Sequence, residues 1–467
     1  LLTYTEHRVK VDPFEFVILD ELEIVKELYE HTRVRIKGVI REEDAERYYT
    51  TLTREDPAII ITYDDDDSKI LFKGIVENYR LGWINQDYYL ELEALSYSVL
   101  LERRKKNRIY QNQGTTYNEA FRRLMEDNPE FHISFSKSST GDVPLVSEDY
   151  PVVMQYKESE WDFIRRLSSY LGQILIVDDT KDNNEKINIQ AGYHNNVPKD
   201  LNNIGGGSAM RTGRKNINYR FFKITGHEHY RSDNIFDVGK KVKYRLNNRE
   251  KPAMDLIIIK NRIYLNNQRL CSDLNLVREE DINVLKEIRE KPIEGRSFRA
   301  EVVKVNKKHQ VKVKFIDIDD DFREDKAYWF TIDQLYSNAF IAPELGDIVD
   351  IYFKSSNEKF AALKSSTTDE NEQIDHDPAD KLIRTPGGYQ IKLNNEEVLM
   401  AAKDRKSWMR LKEEETILES NGSRISMDVE KIVLHCRKAS VVIKEDMIQI
   451  AHGNTGLKIK KGQINLS

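Results

Sequence analysis

Two runs of aspartate consist of the residue type that Ca²⁺ sites use. The members of these runs are Asp64 to Asp67, and Asp317, Asp319, Asp320 and Asp321. An EF-hand loop needs oxygen ligands at fixed intervals and a glycine for its sharp turn. Neither run has that spacing, so the sequence predicts two solvated loops rather than two Ca²⁺ sites.

A histidine pair and a glycine cluster are the other candidates for ligand binding. His227 and His229 share one face of a predicted strand, and they could bind a metal ion if several copies of the chain each contributed ligands. No third ligand is evident in the sequence, so we predict a structural pair. The cluster Gly205 to Gly207 lacks the spaced glycines and the Lys-Ser/Thr of a phosphate-binding loop, which favours a linker.

Motifs of known catalytic sites are absent from the sequence. It contains no Gly-x-Ser-x-Gly elbow, no His-Glu-x-x-His helix, no cysteine-rich metal set and no Walker loop. Carboxylates are abundant throughout, so a pair of them is not a signal. We therefore predict that the protein is not an enzyme and that it uses no cofactor.

The composition indicates a soluble protein that is made in the cytoplasm. Charged residues form 33% of the chain, and the mean hydropathy is -0.64. No run approaches the ~20 apolar residues of a membrane span, and the start shows no signal-peptide pattern. Cys271 and Cys436 fall in different predicted domains, so no disulfide framework is expected. The net charge of -6 argues against a nucleic-acid partner.

The chain is predicted to be mainly β, with six regions. Residues 1–104 and 205–292 are strand-rich, and residues 105–204 between them are mixed α+β. Capping boxes at Thr116-x-x-Glu119 and Ser159-x-x-Asp162 start two helices in the mixed region, and a short helix is predicted over Asp281 to Glu290. Residues 293–366 contain five strands, the size of a small OB-type barrel. Residues 367–381 form a polar linker, and residues 382–467 contain a repeat.

The repeat consists of short apolar-x-apolar pairs. Pairs that begin at Met409, Ile425, Val441 and Leu457 are 16 residues apart, and a second pair lies between them, so the steps alternate between 7 and 9. In a strand such pairs put both apolar side chains on one face. Strands at a fixed period are typical of a β-solenoid or a β-prism.

Each repeat strand supplies few inward-facing apolar residues, which is a thin core for one chain. Three chains around a common axis would share these residues in one core and leave few exposed edges, forming a needle of about 40 Å. A single-chain solenoid is the alternative. The predicted trimer core comprises Met409, Leu411, Ile425, Met427, Ile432, Leu434, Val441, Ile443, Ile448, Ile450, Leu457 and Ile459. The last pair, Ile464 and Leu466, is predicted to contact a partner at the tip, because strand edges there would otherwise stay unpaired.

Three segments resemble VgrG-type spike proteins of contractile injection systems and the gp27–gp5 hub-spike of phage baseplates. Gln155 to Leu167 resembles the segment Q-Y-x-E-S-x-W-D-F-x-x-R-L of that family. Val311 to Phe315, with Ala342 to Val349, resembles its OB domain, and Thr385 to Ile391 resembles the step from that barrel into the β-helix. The segments occur in the order of the family: hub, OB domain, β-helix.

The resemblance implies a trimeric hub and spike with two β-barrel-like hub regions and a C-terminal triple-stranded β-helix. In that family the hub faces a hexameric tube protein, other baseplate components surround it, and a PAAR-type protein sharpens the tip. A protein of this kind would be assembled into a contractile particle or secretion apparatus and delivered to the exterior or to a target cell, where it pierces the envelope. The alternative is a carbohydrate- or receptor-binding tail protein, with Tyr328 or Trp329 as candidate aromatic contacts on the barrel.

Overall fold

The computed structural model describes most of the chain as two compact units. The first unit covers residues 1–367 and the second covers residues 368–467. The described ranges are residues 8–64, 68–137, 140–148, 150–181, 187–203, 208–212, 217–225, 227–245, 253–267, 269–285, 293–308, 310–333, 343–355, 357–366, 381–385 and 387–466. The linker, the whole glycine cluster and all of the first aspartate run except Asp64 therefore lie outside the described residues.

Twenty strands and four helices precede the barrel in the described part of the first unit. The strands are β1 (Val9–Asp12), β2 (Ile18–Glu27), β3 (Arg33–Ile40), β4 (Ala58–Asp64), β5 (Ser68–Ile84), β6 (Asp87–Ser96), β7 (Lys105–Tyr110), β8 (Phe131–Phe135), β9 (Val153–Ser159), β10 (Leu175–Val177), β11 (Ile187–Ala191), β12 (Lys199–Asp200), β13 (Ser208–Thr212), β14 (Ile217–Asn218), β15 (Phe222–Ile224), β16 (His227–Ser232), β17 (Lys241–Tyr244), β18 (Met254–Asn266), β19 (Arg269–Val277) and β20 (Ile282–Val284). The helices are α1 (Ala45–Leu52), α2 (Leu100–Arg103), α3 (Tyr117–Asp127) and α4 (Glu160–Tyr170).

One sheet joins the two strand-rich regions of the first unit. Its main path runs β1-β4-β5-β6-β3-β2-β18-β19-β16-β13, with β17 paired to β18 and β12 to β17. The antiparallel pairing of β2 with β18 places Ile24 opposite Ile263, and both side chains are fully buried. Two segments more than 200 residues apart in sequence therefore share one hydrophobic layer, and the mixed region is inserted between them.

The two longer helices of the inserted region, α3 and α4, start at the capping residues that the sequence predicts. The side chain of Thr116 accepts a hydrogen bond from the Glu119 backbone N–H, and the Glu119 carboxylate accepts one from the Thr116 backbone N–H. Ser159 caps α4 by accepting a hydrogen bond from the Asp162 N–H. These bonds satisfy backbone donors that the first helical turn leaves without intrahelical acceptors.

The helix predicted over Asp281 to Glu290 is wrong for its described residues. Residues Ile282–Val284 form β20, which pairs antiparallel with β15, and residues 286–290 lie outside the described ranges. Val284 lies opposite Phe222, which is buried in the hydrophobic core of the first unit. Pairing with a distant strand therefore outweighs the local helical propensity here.

A closed five-stranded barrel completes the first unit. Its strands are β21 (Ser297–Val305), β22 (Gln310–Phe315), β23 (Phe330–Ile332), β24 (Ile348–Phe353) and β25 (Ala361–Ser366). They close in the order β21-β22-β23-β25-β24, with β23 and β25 parallel. Alternate side chains such as Val311, Val313 and Phe315 fill the interior. The barrel has the strand number and closure of an OB-type domain.

The described part of the second unit is one antiparallel meander of eleven strands. Its strands are β26 (Lys381–Arg384), β27 (Gln390–Leu393), β28 (Glu397–Ala401), β29 (Ser407–Lys412), β30 (Glu415–Ser420), β31 (Ser423–Asp428), β32 (Lys431–Cys436), β33 (Ala439–Lys444), β34 (Met447–His452), β35 (Thr455–Lys460) and β36 (Gln463–Leu466). From β29 onward each strand starts eight residues after the previous one. Two-residue turns separate them, and Asn421 and Gly422 both take the positive φ of a type I′ turn (50° and 80°).

Candidate functional site: an apolar face on the C-terminal sheet

The strand register places all fourteen predicted spike residues on one face of the C-terminal sheet. Residues directly opposite each other in an antiparallel sheet have side chains on the same face. One row of opposed residues is Met409, Leu418, Ile425, Leu434, Val441, Ile450, Leu457 and Leu466. The second row is Leu411, Thr416, Met427, Ile432, Ile443, Ile448, Ile459 and Ile464. We call the surface formed by these two rows the apolar face.

The register also explains the alternating steps of 7 and 9 in the sequence. The strands repeat every eight residues, but the apolar pair occupies the third and fifth positions of β31 and the second and fourth positions of β32. Because neighbouring strands run in opposite directions, this one-residue offset brings Ile425 opposite Leu434 and Met427 opposite Ile432. The offset therefore keeps both rows straight across the sheet.

The apolar face extends toward the start of the sheet through residues that the sequence analysis did not assign. Met400 lies opposite Met409, and Val398 lies opposite Leu411. Ile391 and Leu393 continue the two rows on β27. Their apolar-x-apolar spacing is the same as in the repeat. A five-residue connection between β28 and β29 interrupts the eight-residue period, which is why the repeat is harder to recognise there.

The apolar face is exposed in a single chain. Ile432, Ile443 and Ile450 expose 37%, 37% and 47% of their surface, and the end residues Ile464 and Leu466 expose 65% and 80%. The ten strands from β27 to β36, spaced by about 4.8 Å, make this face about 43 Å long and two side chains wide. Soluble monomers rarely expose a continuous apolar surface of this extent, so the face has the character of an interaction surface.

The opposite face of the same sheet is mixed in character. Its central row reads Arg410, Ile417, Ser426, Val433, Val442, Gln449 and Lys458. Ion pairs cross this face near its start, where Arg410 and Arg424 lie 3.5 Å and 3.6 Å from the carboxylate of Glu415. This face is therefore less apolar than the apolar face, although Ile417 on it is buried.

The segment Gln155 to Leu167 forms the end of β9 and the start of α4, and its side chains are structural. Gln155, Trp161, Phe163 and Leu167 are fully buried. The indole of Trp161 stacks on the ring of His31 with centroids 4.4 Å apart. These side chains fix the helix against the hub core, and they do not form a catalytic arrangement.

Arg166 in the same segment connects the inserted region with the barrel. Its guanidinium donates to both carboxylate oxygens of Glu158, at 3.0 Å and 2.7 Å, and to the carbonyl of Met154 at 2.8 Å. The buried Glu358, next to barrel strand β25, lies 3.7 Å away. Burial lowers the pKa of Arg166, but the nearby carboxylates of Glu158 and Glu358 more than offset this and raise the pKa above its ordinary value.

The second aspartate run forms a loop that packs on the barrel. Asp319 is buried and accepts hydrogen bonds from the Gln111 amide at 2.5 Å and from the Phe315 N–H at 3.3 Å. Burial raises the pKa of Asp319 to about 6, although these hydrogen bonds act in the opposite direction. Asp317 and Asp320 are exposed, which accords with a loop rather than an ion site.

Candidate metal and glycan sites gain no support from the side-chain geometry. His227 and His229 lie on β16, and no group of three His, Cys, Asp or Glu side chains within the described ranges is arranged to hold a metal ion. Tyr328 packs edge-on against Phe330, and the Lys312 amino group lies 5.1 Å from the centre of the Trp329 ring. Both aromatic rings are half-buried, so they form no open stacking platform. Across the same described ranges, no helix is long and apolar enough to cross a membrane.

Solved structures similar to this chain are tail and secretion-system proteins. The E. coli c3393 protein, a type VI secretion component described as similar to the T4 tail proteins gp27 and gp5, is 14% identical, with a TM-score of 0.50 over 78% of this chain and 100% of that one. The chain has the fold of VgrG-type hub proteins. Two structures of the Francisella PdpA–VgrG complex, half-lidded and lidded, match 96% of this chain at 10% identity. Their TM-scores are 0.50 and 0.51, and the matches cover 83% and 76% of the chains in those structures. No protein-family model and no curated protein matches the sequence.

The hub fold confirms the predicted class and the family resemblance. Strands hold 55% of the described residues and helices, including the 3-10 turns, 13%, so the described part of the protein is mainly β. The structures that share this fold are described as a type VI secretion component and as VgrG complexes. The predicted non-enzymatic role stays a prediction. The predicted domain boundaries and the roles of the fourteen spike residues stay predictions.

Proposed function

We propose that this protein is the trimeric central hub and spike of a contractile injection machine, which is a type VI secretion system, a phage-like tail or a tailocin. The observation that carries the proposal is the continuous apolar face on the C-terminal sheet. A single chain leaves this face in water, whereas three copies around one axis would cover it completely. The similarity of the whole chain to VgrG-type hubs supports the same assignment.

The dimensions of the sheet suit a three-sided prism. Strands of six residues are about 20 Å long, and a triangle with sides of about 20 Å has its centre about 6 Å from each side. Half of the ~10 Å spacing of two packed sheets is close to that value. Six apolar side chains per layer, two from each chain, would therefore fill the interior without a large void.

The proposed role is mechanical. A stiff prism concentrates the force of a contracting sheath on a small area of the target envelope and pierces it. The hub is proposed to bind the hexameric tube protein and other baseplate components, and no nucleic acid. A PAAR-type protein is proposed to cover the tip, where Ile464 and Leu466 on β36 are exposed. The protein would be made in the cytoplasm and delivered with the assembled machine.

Molar mass in solution tests the proposal directly. Light scattering on the full chain and on a truncation ending at Asp377 compares the protein with and without its C-terminal sheet. We expect a trimer for the full chain, because the apolar face must be covered. A trimer that dissociates on truncation would locate assembly in the C-terminal sheet, and a trimer that persists would locate it in the hub. A full chain that stays monomeric would contradict the proposal.

A further inference from the structure

The turns of the C-terminal sheet carry opposite charges on its two edges. Consecutive turns of a meander lie on alternate edges, because neighbouring strands run in opposite directions. The turns that follow β29, β31 and β33 form the acidic edge, with Glu413, Glu414, Glu430, Glu445 and Asp446. The turns that follow β28 and β32 form the basic edge, with Lys403, Arg405, Lys406, Arg437 and Lys438. The connection after β28 also contains Asp404, and the turns after β30 and β34 on the basic edge carry no charge.

Lysines near the acidic edge do not remove this separation. Four of them are the first or last residue of a strand, and their side chains alternate onto the face opposite the apolar face: Lys412, Lys431, Lys444 and Lys460. Two of them have carboxylate partners within the chain, since Lys431 lies 4.0 Å from Asp428 and Lys460 lies 3.3 Å from Asp446. Lys461, in the turn after β35, is the one basic turn residue on this edge.

Four of the turn charges lack ion-pair partners within the described part of one chain, although Asp446 pairs with Lys460. Glu430 and Glu445 on the acidic edge, and Arg437 and Lys438 on the basic edge, are exposed and form no ion pair with any other described residue. The two edges lie at opposite ends of strands about 20 Å long, so they cannot reach each other within one sheet. Their complementary charges therefore point to contacts between chains.

We propose that the acidic edge of one chain contacts the basic edge of the next and thereby fixes the relative orientation of the chains around the spike axis. This rests on the proposed function, in which copies of the chain cover one another's apolar faces. When the chains are related by rotation about an axis parallel to the direction in which the strands stack, the acidic edge of each chain faces the basic edge of its neighbour. If one chain ran in the opposite direction along this axis, like edges would face each other, and like charges repel.

The heights of the turns fit this arrangement. The turn with Arg437 and Lys438 follows β32, so along the stack it lies one strand spacing, about 4.8 Å, from the turn with Glu430 and one from the turn with Glu445. In a cyclic assembly, equivalent turns of all chains have the same height. The basic turn of one chain would then lie between two acidic turns of its neighbour.

Disulfide trapping tests which edges meet. In the full chain, Cys436→Ser removes the exposed native thiol and leaves only the buried Cys271. Glu430→Cys and Lys438→Cys are then introduced together, and Glu445→Cys with Lys438→Cys forms a second pair. A disulfide needs Cα atoms within about 7 Å, which excludes a bond between the two edges of one chain. We expect covalent trimers on a non-reducing gel from at least one pair, because each chain then offers one cysteine to each neighbour.

The single-cysteine variants separate the possible outcomes. If like edges meet, Glu430→Cys or Lys438→Cys alone gives covalent dimers, and the inference is wrong. If neither pair gives a covalent species while light scattering shows a trimer, the edges do not meet, and the inference fails while the proposed function stands. A monomer by light scattering overturns the proposed function itself.

Charge reversal tests whether attraction between the edges selects the orientation. The double change Arg437→Glu and Lys438→Glu is expected to lower the yield of trimer after dilution from denaturant, because like charges would then meet. Adding Glu430→Lys and Glu445→Lys in the same chain exchanges the two signs and is expected to restore the yield. A yield that is unchanged by the first pair, or not restored by the second, would contradict an electrostatic role.

Discussion

Ile432 and Ile443 lie directly opposite each other on neighbouring strands of the C-terminal sheet, and each exposes 37% of its surface in a single chain. Two large aliphatic side chains that pair this way usually belong to a core. Here each side chain contacts its neighbours within the sheet, but no second layer from the described part of the chain packs on top of them. If the proposed assembly is right, side chains from the other chains form that second layer.

The energetic effect of truncating Ile443 should reveal whether its face is covered. Ile443→Ala is expected to cost about 2–5 kcal/mol per chain if the side chain is packed in a shared interior, and much less if it stays in water. Val442→Ala, one position away on the opposite face, is the matched control and should cost about 1 kcal/mol or less. Denaturant unfolding monitored with light scattering measures both. Equal costs for the two variants would contradict a covered apolar face.

Changes to the last strand should separate tip binding from assembly. Ile464→Asp with Leu466→Asp is expected to abolish binding of a PAAR-type tip protein, because it places charge on an apolar contact surface. Asn465→Asp adds one such charge to the opposite face of the strand and should leave binding intact. Pull-down with a tip protein gives the readout, and light scattering checks that every variant keeps its oligomeric state. Unchanged binding by the double variant would remove the tip assignment.

The ion pairs of Arg166 should be important for the stability of the first unit. Arg166→Met is expected to destabilise it by about 3–5 kcal/mol, because the buried Glu358 and the half-buried Glu158 lose the cation beside them. Adding Glu358→Gln should recover part of this loss. Arg122→Met is a control, since it removes an exposed ion pair to Glu126 and should cost well under 1 kcal/mol. Thermal unfolding of the native chain and the three variants would show whether the buried ion pairs contribute more stability than the exposed one.

Asp319 should give the protein a distinctive dependence on pH. Its folded pKa of about 6 lies above the ordinary value of 3.8, so the folded state binds the proton more tightly than the unfolded state. Its contribution to stability therefore increases as the pH falls from above 6 toward 4, and the charged form is unfavourable at neutral pH. Asp319→Asn keeps an oxygen acceptor without the charge. We expect it to stabilise the protein at pH 8 by up to about 3 kcal/mol.

The comparison across pH distinguishes this effect from a general gain in stability. The advantage of Asp319→Asn over the native chain should shrink as the pH falls and vanish only below about pH 3, where the native side chain is protonated in the folded and in the unfolded state. Asp320→Asn, at an exposed position in the same loop, is the control and should show little change. An advantage that does not depend on pH would show that Asp319 is not the titrating group.

The sequence alone determined the two faces of the C-terminal sheet. Alternation with a period of two residues is a local property, so the pairs at Ile425 and Ile432 indicate an apolar face without knowledge of the strand pairing. The helix caps at Thr116 and Ser159 are local in the same way, because each involves residues only three positions apart. Such local signals can be recognised in a single sequence.

The tertiary structure decided the features that depend on distant residues. The pairing of β2 with β18, the contact of Arg166 with Glu358 and the burial of Asp319 against Gln111 each join segments far apart in the chain. No local pattern encodes such partners, since many strands of similar composition compete for each edge. The strand at Ile282 shows the consequence, because its pairing with β15 replaces the helix that its own residues favour. The strand pairing that buries the whole hydrophobic core is the stable one, and it can be identified only from the folded chain.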